Sequence, residues 1–180
     1  MTRAAAFAVH AIALVTGLLT LVLVGQPVYA NDTWIHLALG EAFAAAGPWL
    51  DADPHLFAAP GSPAPSSWLG SLLLFATQDT LGFAGLRILH VAIVLLLIVG
   101  VHRVARAVTG SNAVASLSLV AFIVLATFRL VQLRPELLTL GATFVLFALL
   151  LTERSGPDGP TVRSTAVSYT HLTLPTKLEV

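Results

Sequence analysis

An aspartate and a histidine four residues apart open the segment of this chain whose residue types can do chemistry. It reads Asn31-Asp32-Thr33-Trp34-Ile35-His36-Leu37 and is followed by Gly40, Gly47-Pro48, Asp51 to Pro54 and Ser67-Trp68-Leu69. Residues i and i+4 share a helix face, so Asp32 and His36 lie together if the segment is helical. A carboxylate and an imidazole placed so can act as general base and acid. Each also has a plainer role. Asp32 can cap the helix that begins there, and His36 can be a polar residue at a membrane surface. Trp34, Trp49 and Trp68 suit an aromatic belt at headgroup depth, with a platform for a sugar or a lipid as the sharper alternative. Asp51 and Asp53 form an Asp-x-Asp pair that can hold a divalent cation or stabilise a turn.

The elements that must position these residues are apolar. The chain has 180 residues, of which 57% are hydrophobic and 10% charged, against about 25% charged in a soluble domain. Its charges gather in the connecting segments, as a bilayer requires. Zero net charge removes any bulk electrostatic case for nucleic acid. The absence of cysteine excludes disulfides, thiolate catalysis and cysteine-ligated metals.

The fold class expected is all-α, a polytopic membrane helix bundle of about four spans with amphipathic helices in its first outer loop. The spans fall near 5–28, 81–101, 111–128 and 136–152. The first is longer than the apolar region of a secretory signal, about 7–15 residues, so it reads as a retained helix. The outer loop covers 31–67 and is acidic and rich in proline. Within it, 32–46 reads as one short helix with Leu37, Phe43 and Ala44 on its apolar side. The stretch 67–77 is too short to span and reads as an interfacial helix anchored by Trp68, interrupted by Asp79 and Gly82. Pro135 opens the last span, where its missing N–H costs nothing.

Arg3, Arg103, Arg106 and Arg154 all fall on one side of this arrangement, which makes that side, and the N-terminus, cytoplasmic. Arg129 and Arg134 then face outward against the rule, and Arg87 lies near the outer end of its span. Arginines so placed can grip a phosphate or snorkel to headgroups. Residues 155–166 form a polar tail. The run 167–180, VSYTHLTLPTKLEV, resembles a translated sequencing adapter, so a chain continuing beyond the fourth span is expected.

The layout of a first span, a long outer loop opening on an acid, interfacial helices and further spans resembles the GT-C superfamily of membrane glycosyltransferases. More closely, the run D-x-W-x-H-L-x-x-G from Asp32 to Gly40, then Gly47-Pro48, Asp51-x-Asp53-Pro54, Trp68-Leu69 and Arg134-Pro135, resembles a group of largely uncharacterised bacterial membrane proteins related to it. The resemblance covers about residues 1–152. It implies transfer of a sugar from a polyprenyl-phosphate carrier to an acceptor of unknown identity outside the cytoplasm, in a bacterial plasma membrane. Asp32 would be the general base, with His36 beside it. Arg129, Arg134 and Arg87 would meet the leaving phosphate, and Trp34 and Trp68 would line the substrate path. No cofactor is implied, although a divalent metal is an option. Asn31-Asp32 stands where many members of the superfamily have two acids, and those members have more spans.

Two other classes compete. A transporter places polar groups at mid-bilayer in broken helices, whereas His10 and His90 lie nearer helix ends here. A non-enzymatic scaffold would use small residues such as Gly17, Gly100, Gly141 and Ala142 for helix packing.

Overall fold

A computed structural model describes residues 2–27, 31–53 and 67–154. Five helices account for the regular structure: α1 (Arg3–Val24), α2 (Asn31–Ala46), α3 (Trp68–Thr109), α4 (Asn112–Leu130) and α5 (Pro135–Arg154). There is no strand among the described residues. The chain divides into two compact units, 1–142 and 143–180. The first holds α1 to α4 and the opening turns of α5; the second, where described, is the rest of α5.

Helices α1, α3 and α4 are long and apolar enough to cross a bilayer. Their exposed faces are those of lipid-facing helices. Phe7, Leu18 and Val22 of α1, Leu96 of α3, and Leu125 and Phe128 of α4 are all well exposed. That much uncovered apolar surface is foreign to a monomer in water and ordinary in lipid. The first helix stops at Val24, short of the expected 28, because Gly25 caps it with its N–H on the Leu21 carbonyl and Pro27 follows. A residue before proline is pushed out of helical conformation. At the other boundaries Thr2 and Ser111 cap α1 and α4 through their hydroxyls, and α5 opens on Pro135 as expected.

Helix α3 has two arms. Gly82 adopts φ 64° and ψ −166° within it, a conformation open essentially to glycine alone. The first arm, 68–81, is longer than the expected 67–77 because Asp79 does not interrupt it; only Gly82 does. The second arm, 83–109, is apolar through its centre and ends on Gly110 at φ 68°.

Helix α2 packs against α3. Thr33, Leu37, Gly40 and Phe43 form its buried stripe, spaced as one helix face requires. Its direction opposes that of α3: Gly40 meets Ser71 of the first arm and Trp34 meets Phe83 at the start of the second. Ala44 is exposed despite the expectation, while its neighbour Phe43 is buried. A core cluster of Leu37, Leu74, Leu86 and Leu133, with Leu89 against it, joins α2, both arms of α3 and the α4–α5 link.

The close contacts between helices are not at the glycines the spans advertise. A Cβ on Gly17, Gly100 or Gly141 would meet nothing within 4 Å, whereas one on Gly40 would lie 2.3 Å from the Ser71 carbonyl oxygen. One on Gly70 would lie 2.5 Å from the Pro135 ring. Gly40→Ala therefore forces α2 off α3 and should destabilise the protein by about 1–3 kcal/mol. Gly100→Ala should leave it unchanged or more stable. Thermal unfolding of both variants in detergent checks this, and equal losses would contradict the packing described.

Candidate functional site

Four segments converge at the start of α2. The corner between α4 and α5, residues 131–134, is nearly buried at Leu133 and follows the fully buried Leu130. Carbonyls at a helix end lack helical partners, and here two are met by side chains. The Thr33 hydroxyl donates to the Leu133 carbonyl at 2.7 Å, and His90 Nε2–H donates to the Leu130 carbonyl at 2.8 Å. The chain is thereby fixed just before Arg134.

Arg134 reaches back to α2, its Nη2 on the Asp32 carboxylate. The guanidinium is about three-quarters covered and the carboxylate rather more than half. Arg134 Nε is buried without a partner. Asp32 lies inside the first turn of α2, one residue beyond the helix start, so it does not occupy the capping position. Its charge there suits the positive end of the helix. One turn on, His36 shares a hydrogen bond of 3.1 Å with the Ser71 hydroxyl of α3. Burial pushes the His36 imidazole below its ordinary value of 6.5. The Asp32 carboxylate works against that shift, the Arg134 guanidinium adds to it, and the Glu136 carboxylate opposes it again. Glu136 also binds Arg129, Nη1 to Oε2, at 2.5 Å in an exposed ion pair.

The expected site residues fall into two groups. Asp32, His36 and Arg134 come together, with Arg129 joined through Glu136. Trp68 borders the same place, since a cleft of about 760 Å³ is lined by His36, Ser67, Trp68, Pro135, Glu136 and Thr139 among others. Arg87 and Trp34 belong elsewhere. They line a separate, mostly apolar cavity of about 320 Å³ with Thr33, Leu37 and Phe83. Trp34 packs on Phe83 with ring centres 5.5 Å apart, and Arg87 donates from Nε to the Gly25 carbonyl at 2.9 Å. Helix α2 separates the two places: Asp32 and His36 lie on one flank of its buried stripe and Trp34 on the other.

Sequence reasoning missed Thr33, Ser71 and Glu136. Thr33 sat unweighed inside the Asp32–His36 run, and Glu136 follows the Arg134-Pro135 pair directly. Nothing local distinguishes Ser71. Among the described residues no three His, Asp or Glu side chains form a group able to hold a metal; Asp51 is exposed. The chain matches no family model, no curated protein and no solved structure.

The shifted imidazole has a consequence for stability. The unfolded chain takes up the His36 proton first as pH falls. The folded state is thus fully favoured above about 6.5 and loses stability as pH drops from 6.5 toward the lower folded value. His36→Gln should flatten the decline in stability over that window relative to the parent. Denaturation in detergent at stepped pH measures it, and parallel curves would refute the assignment.

Proposed function

We propose that this chain is a GT-C-like membrane glycosyltransferase that moves a sugar from a polyprenyl-phosphate carrier to an acceptor hydroxyl. In this reading α5 is a fourth span and the N-terminus is cytoplasmic. Helix α2 and the first arm of α3 then lie on the far face of a bacterial plasma membrane. The observation that carries the reading is the state of Arg134. One of its nitrogens binds the Asp32 carboxylate while its buried Nε has no partner. A buried donor without a partner costs about 1–3 kcal/mol, and an entering phosphate oxygen would relieve that cost.

The chemistry follows as an exchange of partners. A phosphate arriving at Arg134 competes with Asp32 for the guanidinium, and planar two-point contact favours the phosphate. The released carboxylate then accepts the proton of the acceptor hydroxyl. The acceptor oxygen bonds to the anomeric carbon as the bond from that carbon to the phosphate oxygen breaks. The electron pair leaves on the phosphate, whose charge Arg134 meets; Arg129, in its exposed pair with Glu136, is a second candidate cation. His36, one turn from Asp32, borders the neighbouring cleft with Trp68 and Glu136 and hydrogen-bonds Ser71.

A scaffold without enzymatic activity is the second reading. It is favoured by the fact that both arginines already hold carboxylates. Transfer of radiolabelled sugar from short-chain polyprenyl-phosphate donors in proteoliposomes separates the two. Asp32→Asn should lower turnover by about 10²–10⁴-fold, and Arg134→Lys should lower it while raising the donor KM. Full activity in Asp32→Asn would sink the role of base. No transfer with any donor, alongside a partner complex indifferent to both substitutions, would favour the scaffold.

A further inference from the structure

Arg87 has no part in the chemistry above, and its surroundings are unlike those of Arg134. It is the one Asp, Glu, Lys or Arg between Asp79 and Arg103. Two apolar troughs meet at Arg87 and Ala84. One is the cavity beside Trp34 and Phe83. The other, about 520 Å³, runs along α3 past Ile88, Val91, Ala92 and Leu95 with Gly25 of α1 at its edge. Among the described residues, neither trough is lined by a carboxylate.

We infer that this place seats an anionic phospholipid of the surrounding bilayer, its phosphate on the Arg87 guanidinium and an acyl chain in the trough along α3. The Nε and Nη2 contacts to the Gly25 carbonyl aim the guanidinium at the end of α1. They occupy two of the five N–H donors of an arginine, so three remain. Among the described residues of the lining there is no anion to take them.

Depth and length choose the lipid. Arg87 lies five residues past the Gly82 break, about 7.5 Å along the helix, at the level where α1 ends. The trough from Arg87 to Leu95 spans eight residue steps, or about 12 Å. That is less than half of the roughly 30 Å hydrocarbon core, so it fits a chain confined to one leaflet. A polyprenyl chain would overrun it. Ile88 and Leu95 are both open to the trough, at 69% and 43% exposure. The site lies across α2 from Asp32 and Arg134, and it does not depend on the transferase reading.

Native mass spectrometry of the full chain, released from nanodiscs of equimolar phosphatidylglycerol and phosphatidylcholine, tests this directly. Phosphatidylcholine carries its own cation beside the phosphate, so retained lipid should be enriched in phosphatidylglycerol by about fivefold, as one interfacial arginine supports. Arg87→Gln should return the ratio to that of the bilayer. Should that variant fail to fold, Ala92→Phe decides: it fills the trough, leaves the guanidinium in place and should lose the bound lipid. Unchanged enrichment in both variants overturns the proposal. So does displacement by inorganic phosphate alone, which would make this a free-anion site. Preferential retention of added farnesyl phosphate over phosphatidylglycerol would also overturn it, assigning the trough to an isoprenyl donor.

Discussion

The corner between α4 and α5 is the constraint on which the rest of the first unit depends. A helix that ends within apolar surroundings leaves carbonyls that neither the helix nor water can satisfy. Leu130 and Leu133 are such residues, each with 1% exposure or less. His90 from α3 and Thr33 from α2 supply the two missing donors. An imidazole of α3 and a hydroxyl of α2 thereby tie these two helices to the short link that joins α4 and α5. The leucine cluster of Leu37, Leu74, Leu86 and Leu133 fills the space beneath. Burial drives these elements together without direction, whereas the two hydrogen bonds set the position of the link and hence of Arg134.

The charges follow from that position. Arg134 emerges from the pinned link beside the first turn of α2, and Asp32 is the acid nearest to it. Their ion pair is partly covered, so each charge relies on the other. The pair of Arg129 and Glu136 is more than half exposed on both sides, and such pairs contribute about 0–1 kcal/mol. The two arginines therefore differ in kind. Arg129 can change partners at little cost to the fold, while Arg134 can change partners only for an anion that replaces Asp32.

Much of the helical layout was legible because apolar runs and their breakers are local properties. The long helices, Pro135 at the start of α5 and the break at Gly82 all come from short stretches of chain. A helix over 32–46 was legible, with Leu37 and Phe43 buried as expected. What failed depended on neighbours. Ala44 has the right phase for burial but is exposed. Gly17, Gly100 and Gly141 suit close packing, yet a Cβ on any of them would meet nothing within 4 Å; Gly40 and Gly70 do that work from outside the expected spans. Asp32, His36 and Arg134 were identified as candidates, whereas the bonds among them were not, because Arg134 and Ser71 belong to distant parts of the chain.

The division of the arginines also has a geometric origin in α2. Its buried stripe of Thr33, Leu37, Gly40 and Phe43 leaves two flanks, about 100° to either side. Asp32 and His36 occupy one and Trp34 the other. Because the helix lies between them, an anion at Arg134 and an anion at Arg87 meet different walls: charged and polar groups in the first case, aromatic and aliphatic ones in the second. A sequence reading that treats every outward arginine as one phosphate clamp merges the two. The helix keeps them apart, so the two arginines meet chemically different surroundings.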